Sequence, residues 1–387
     1  MAQHDFMREL SNTACIVGAA ESDEMGILPH KSQMALHLES ISNAVADAGL
    51  KVSDVDGIFT AGAHSPALIA EALGITPRYV DGTSVGGCSF IIMVEHAVAA
   101  LHHHLCDVAV ITHGESGRSQ AGVTRVRDTS IAGSYEIPYG FGAPPTWFGL
   151  ITTRHMHEYG TTLEQWAQVA VSTRAWAGLN PKAMYRDPLT IEQVLKAKMI
   201  AYPFTVLNIC LVTDAGGAIV LTRADRARDC VKKPVYVRGM GEATEHVSVT
   251  QMKGLPLSKA TKMSSERAFK MAGVSHGDFD HIMLYDAFTS GPPIMLESMG
   301  FAKPGEGVSF FENGKSTPGG SLPINTNGGG LSYTHTGMYG MFPLIEATRQ
   351  LRGECGARQV PNVKLSLVNG MGGMLSAAGT VVLSNEK

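Results

Sequence analysis

The chain has 387 residues, with 31 Lys+Arg against 35 Asp+Glu, a formal net charge of −4 at pH 7, and 44% hydrophobic residues. That balance gives no electrostatic case for nucleic acid or an anionic membrane surface, and the apolar content allows a large core. No apolar run reaches the length of a membrane span, and the opening MAQHDFMREL lacks a basic segment followed by an apolar one, so a cytoplasmic chain without signal peptide is expected.

In chain order, residues 14–20, ACIVGAA, predict a buried strand by their apolar run. Residues 32–50 predict an amphipathic helix: Met34, Ala35, Leu38, Ile41, Val45 and Ala48 recur at helical spacing, and Gly49 stands where a helix ends. A strand at 55–59 and a short helix at 66–73 follow. Then comes VDGTSVGGCS at 80–89, entered by a short extended run and left by an apolar run of helical spacing from Phe90 to Leu101. Strand, tight turn and helix raise a side chain over the end of a sheet, at a helix N-terminus whose amides favour negative charge. The histidines at 102–104 point in different directions on a helix and are expected at a solvated helix end, not on a metal. A strand at 108–112 running into HGES completes a βαβ alternation, which predicts a mainly parallel sheet with helices on both faces.

From Gly114 to Pro203 the pattern changes. Pro, Gly and aromatics crowd 135–150, YEIPYGFGAPPTWFGL, and helical stretches follow at 152–159, 163–177 and 191–200. This predicts an excursion from the sheet long enough to cover a substrate. The sheet resumes with DAGGAIVLT at 214–222 and a strand at 235–239. A helix at 260–271, a strand at 281–285 opening into YDAFTSGPP, and a helix at 294–299 come next. A second Gly-rich turn, NTNGGG at 325–330, leads into LSYTHTGMYG, a helix at 341–351, a strand at 363–368 running into NGMGG, and a last strand at 376–383. DAGGAIVLT and SAAGTVVLS each close a run of β and α elements of similar length, so the chain reads as a duplication. The expected division is 12–113 with 205–223 as the first half, 114–204 as an inserted substrate-covering subdomain, and 234–387 as the second half. Six cysteines are scattered with no CxxC pair, which argues against structural zinc and a disulfide framework.

HMHEYGTT at 155–162, LNPKAMYRDPLTIEQVLKAKMIAYPF at 179–204 and DAGGAIVL at 214–221 resemble the sterol-carrier-protein-type branch of the thiolase superfamily, a resemblance that spans about residues 12 to 385. It implies an α/β fold of five layers, αβαβα, a homodimer, and acyl-CoA substrates. Coenzyme A would be part of substrate and product, with no covalently bound cofactor and no metal. It also implies where the site lies. The nucleophilic-cysteine position of the family falls on Ser84, while Cys88, four residues later and inside the helix, is expected to be a buried small residue. His335 of THTGMYG takes the place of the histidine that contacts the thioester oxygen, and Asn369 of NGMGG replaces the proton-shuttling cysteine. Gly329, Gly330, Gly372 and Gly373 provide the Gly-rich turns against the thioester.

Acyl transfer through an enzyme thioester needs a thiolate, and both family cysteines are replaced. What remains suits stabilisation of a thioester enolate, and so retro-aldol cleavage of a β-hydroxyacyl-CoA to a ketone or aldehyde and a shorter acyl-CoA. That reaction needs an acid and a base, for which YDAFT, NTNGGGLSYTH and GMYG offer Tyr285, Tyr333 and Tyr339. These runs resemble the thiolase-fold aldolases of steroid side-chain degradation, in which two tyrosines are the proposed pair. The resemblance further implies a small partner with an OB fold and a zinc ribbon, giving a heterotetramer. Two other readings stay open on the sequence: a β-ketoacyl-CoA thiolase with an atypical site, and a non-catalytic thiolase-like scaffold subunit.

Overall fold

The structure is a computed structural model and describes residues 8–121, 123, 134–141 and 144–387. The remaining residues of the predicted excursion, and residues 1–7 on which the signal-peptide expectation rests, lie outside the described residues. The first half opens with β1 (Ala14–Glu21) and α1 (Gln33–Asp47), whose N-cap Ser32 accepts the Ala35 amide. β2 (Gly57–Thr60), α2 (Pro66–Leu73), β3 (Tyr79–Asp81), α3 (Ser89–His102) and β4 (Val108–Ser116) follow. Then come α4 (Pro144–Tyr159), α5 (Leu163–Leu179), α6 (Ile191–Lys196) and a ribbon of β5 (Met199–Ala201) with β6 (Phe204–Thr205). β7 (Asp214–Arg223) returns to the main sheet. The second half carries β8 (Val235–Thr244), α7 (Lys259–Ala272), β9 (His281–Leu284), α8 (Gly291–Met299), α9 (Met341–Arg352), β10 (Leu365–Gly372) and β11 (Ala377–Ser384).

Among the described residues the main strands form a 9-stranded sheet in the order β3-β2-β4-β7-β1-β8-β11-β10-β9. Its middle is a seam: β1 meets β8 only through Cys15 with Tyr236 and Ile16 with Val235. Outward from the seam the two sides repeat each other. β1 and β8 are antiparallel to β7 and β11, these are antiparallel to β4 and β10, and those are parallel to β2 and β9. DAGGAIVLT and SAAGTVVLS are thus equivalent strands, β7 and β11. They enter antiparallel to both neighbours, so the sheet is mixed and not mainly parallel as the βαβ alternation predicts.

Small residues on these strands set the layers. A Cβ on Gly216 would come within 2.5 Å of the Leu36 carbonyl, so α1 lies directly on the outer face of the first half-sheet. A Cβ on Gly241 would run into the Ser264 carbonyl, which places α7 on the outer face of the second. Gly379 faces Ile91 and Ile92 of α3, and Gly217 faces Met341 and Ile345 of α9. These two helices fill the space between the half-sheets and share one apolar core with both. The order α1, half-sheet, α3 with α9, half-sheet, α7 is the expected five-layer αβαβα arrangement.

Several local readings differ from the sequence, the first being the helix expected at 152–159, which already begins at Pro144. The helix expected at 191–200 ends at Lys196, where Ala197 turns extended and the chain enters the β5–β6 ribbon. β4 and β10 run further than expected: His113–Ser116 pair with residues 214–217, and Asn369–Gly372 pair with residues 377–380. The long partner strands β7 and β11 keep those ladders going, which no local pattern announces. No helix among the described residues is long and apolar enough to cross a membrane.

Candidate active site

A cavity of about 500 Å³ opens where the turn before α3, the end of β4, the start of α4 and the loops after β9 and before α9 meet. Gly87, Glu115, Tyr285 and His335 stand on its wall. Its roof is held to the second half by α4: Phe148 stacks on Phe288 with ring centres 4.4 Å apart, and His155 Nε2 lies 3.0 Å from Glu297.

Tyr285 follows β9 and is 5% exposed. Its ring stands against Gly87, where a Cβ would come within 2.5 Å of the ring carbon Cζ, so only glycine leaves room. The hydroxyl lies 3.1 Å from His335 Nε2 and accepts the Tyr339 amide at 3.1 Å. The Gly337 amide donates to His335 Nδ1 at 3.3 Å, so a neutral His335 carries its proton on Nε2. Burial keeps it neutral, pushing its pKa down to about 4. Nε2–H therefore donates to the Tyr285 oxygen. With two N–H groups on that oxygen, the hydroxyl hydrogen of Tyr285 is free to point into the cavity. Burial pushes the Tyr285 pKa well above its ordinary value, with the Tyr339 amide acting in the opposite sense. At neutral pH this phenol holds its proton and acts as a donor.

The other residues singled out by the sequence sit elsewhere. Tyr339 is 0% exposed; its ring stacks on His335 at 13°, and its hydroxyl donates to Asn327 Oδ1 at 2.8 Å. The Tyr333 hydroxyl donates to Glu21 Oε1 at 2.8 Å, inside an ion-pair group with Arg349 and Lys182. Asn369 lies within β10 and donates to the Gly379 carbonyl and the Thr380 hydroxyl. Ser84 is exposed and outside the cavity wall. Gly329 and Gly330 cradle Asp286: the Gly330 amide donates to Oδ1 at 2.6 Å, and a Cβ on Gly329 would overlap Oδ2. Gly373 lines the cavity, and Gly372 packs under Val85 and Cys88. The structure thus brings Tyr285, His335 and Gly373 to one cavity, while Ser84, Tyr333, Tyr339 and Asn369 are not on its lining.

Sequence reasoning missed Glu115 and Cys210, and read Asp286 only as a member of the YDAFT loop. Glu115, at the end of β4, lines the cavity with a buried Oε2 that has no hydrogen-bond partner, and burial pushes its pKa up to about 7. Burial likewise raises Asp286 to about 7, behind the wall. HGES was legible as the end of a strand, but nothing in its spacing marks the glutamate. Cys210 lines the cavity with burial raising its thiol pKa, and Cys88, buried at the start of α3, is pushed up to about 12. Neither is a thiolate at neutral pH. Among the described residues, no group of three or more His, Cys, Asp or Glu is placed to hold a metal ion.

Five layers made by duplication, with a Gly-rich turn at the head of one central helix and a histidine loop before the other, define a protein of thiolase fold. Residues 241–385 match the family described as Thiolase C-terminal domain-like. The chain is 30% identical over 382 residues to an acetyl-CoA acetyltransferase of Methanothermobacter thermautotrophicus, covering 95% of this chain and 98% of that one. It is 33% identical over 363 residues to the 17-hydroxy-3-oxo-4-pregnene-20-carboxyl-CoA lyase of Mycobacterium tuberculosis, covering 89% and 92%. The solved structure of the Ltp2-ChsH2(DUF35) aldolase matches with a TM-score of 0.90 and 29% identity, over 98% of this chain and 99% of that one. The chain belongs to the thiolase superfamily.

Proposed function

We propose that the chain is a carbon–carbon lyase that cleaves a β-hydroxyacyl-CoA by a retro-aldol reaction, giving a ketone or aldehyde and a shorter acyl-CoA. The observation that carries this reading is the Tyr285 hydroxyl: its oxygen takes two N–H donors and its hydrogen is free at the cavity. A base removes the β-hydroxyl proton, the Cα–Cβ bond breaks, and its electron pair becomes a thioester enolate. Tyr285 then gives its proton to the α-carbon. An enolate carbon is a stronger base than a phenolate, so the raised phenol pKa does not bar the transfer. His335 and the Tyr339 amide stabilise the phenolate as it forms. Acyl transfer through an enzyme thioester fits less well, because the thiols of Cys88 and Cys210 stay protonated.

In this reading coenzyme A enters and leaves as part of substrate and product. A small OB-fold and zinc-ribbon subunit joins a homodimer of the chain to make a heterotetramer and completes the substrate site. Apolar surface supports a docking partner there: Tyr135 is 73% exposed and Tyr139 81%, close in sequence to Pro144 and Pro145 at the cavity. The substrate class is that of the lyase relative, a steroid carrying a β-hydroxyacyl-CoA side chain. The test is incubation with 17-hydroxy-3-oxo-4-pregnene-20-carboxyl-CoA without free CoA. A steroid ketone and a shorter acyl-CoA are expected; cleavage of a β-ketoacyl-CoA alone, and only with free CoA, favours a thiolase.

A further inference from the structure

The reaction needs a base, and Tyr285 holds its proton. On the retro-aldol reading above, we propose that Glu115 is the catalytic base that takes the β-hydroxyl proton. Its carboxylate ends β4 on the wall of the same cavity as Tyr285. The Met338 amide acts against the rise that burial causes in its pKa, while Oε2 is buried with no partner. A Cβ on Gly337 would come within 2.6 Å of Oε1, so the His335 loop closes tightly over the carboxylate. A buried carboxylate oxygen without a donor costs stability, so its retention calls for an explanation.

The groups that face it are neutral. His113, on its own strand, lies 4.0 Å from Oε2, is engaged with Thr336 at 2.6 Å, and is held down to about 3 by burial. From the other walls, His335 is neutral, Tyr285 is protonated and Cys210 is a thiol. Arg118, three residues on, turns to the neighbouring cavity lined by Arg174 and Tyr185. Burial therefore dominates, and a carboxyl poised near 7 is both ionised often enough and basic enough to serve. The proton balance closes. Glu115 gains the β-hydroxyl proton, Tyr285 gives one to the α-carbon, and after product leaves the two exchange a proton through solvent.

The test uses the purified protein with any subunit that stays bound, and 17-hydroxy-3-oxo-4-pregnene-20-carboxyl-CoA as substrate. Glu115→Gln is expected to lower kcat about 10²–10⁴-fold with a thermal midpoint no lower than that of wild type. Wild-type kcat/KM should fall as pH drops below about 7, because the base must be ionised, and Glu115→Gln should lack that limb. Glu115→Ala should regain about tenfold or more on addition of formate, a small base that fits the vacated space. A steadying role for the loop would show neither the pH limb nor rescue. Glu115→Gln within about threefold of wild type, a persisting acid limb, or no rescue by formate overturns the proposal. A wild type that cleaves this substrate without CoA, joined to an unaffected Glu115→Gln, removes the Glu115 assignment alone. A wild type that leaves this substrate intact but cleaves a β-ketoacyl-CoA with free CoA removes the retro-aldol reading and this proposal with it.

Discussion

Gly87 and Tyr285 form one device, because the phenol can stand at the cavity only where the opposite residue has no Cβ. Gly87→Ala should displace the ring and lower turnover as far as Tyr285→Phe does, about 10²–10⁴-fold, with circular dichroism confirming an intact fold. Tyr339→Phe leaves the amide that holds Tyr285 in place and removes a hydroxyl bonded to Asn327. It should cost about 1 kcal/mol in a denaturation curve and less than about tenfold in kcat. A loss as large as that of Tyr285→Phe would put the Tyr339 hydroxyl at the reacting atoms instead. Cys88, with its thiol raised to about 12, should react slowly with iodoacetamide, and Cys88→Ala should keep most of the activity. Tyr285 and His335 were legible in the sequence because each stands in a short motif. The partners of the other tyrosines were not: Tyr333 meets a residue 312 positions away. No spacing rule reaches that far, and Glu115 is a site residue only because the chain folds the His335 loop onto it.

The turn that leads into α3 is tied across the layers by His96, which lies 2.7 Å from Asp81 at the end of β3 and 3.4 Å from Glu242 on β8. The Asp81 contact first, then Glu242, raises the His96 pKa to about 10. A histidine raised above its ordinary value, about 6.5, contributes stability that is full below that value and is lost as pH rises through the folded pKa. The melting-temperature deficit of His96→Gln should therefore be largest near pH 6 and fade by roughly pH 10. A deficit that grows with pH would show that the imidazole is held neutral. Elements were read from the sequence where their signals are local. Ser32 and Thr162 cap helices read at 32–50 and 163–177, whereas α8, read from 294, opens three residues earlier with Pro292 and Pro293 in its first turn. Signals failed where a distant strand decides, as for the extra length of β4 and β10 or the π-helical turn at Gly329–Tyr333 that seats Asp286.

At the scale of the molecule, two half-sheets meet through two residue pairs, and the apolar core around α3 and α9 joins them. The site sits at that junction: the turn before α3 and the loop before α9 supply opposite walls of one cavity. The duplication was visible in the pair DAGGAIVLT and SAAGTVVLS, but its strand directions were not, because alternation of β and α elements does not tell a crossover from a hairpin return. The central claim is that the thioester of the substrate is never exchanged during cleavage. The direct measurement is turnover of a β-hydroxyacyl-CoA in the presence of isotopically labelled free CoA, with the released acyl-CoA analysed by mass. Retro-aldol cleavage leaves the label entirely in free CoA, and the rate does not change when free CoA is omitted. Failure to cleave the β-hydroxyacyl-CoA, with labelled acyl-CoA formed instead from the matching β-ketoacyl-CoA and only when free CoA is present, would contradict it.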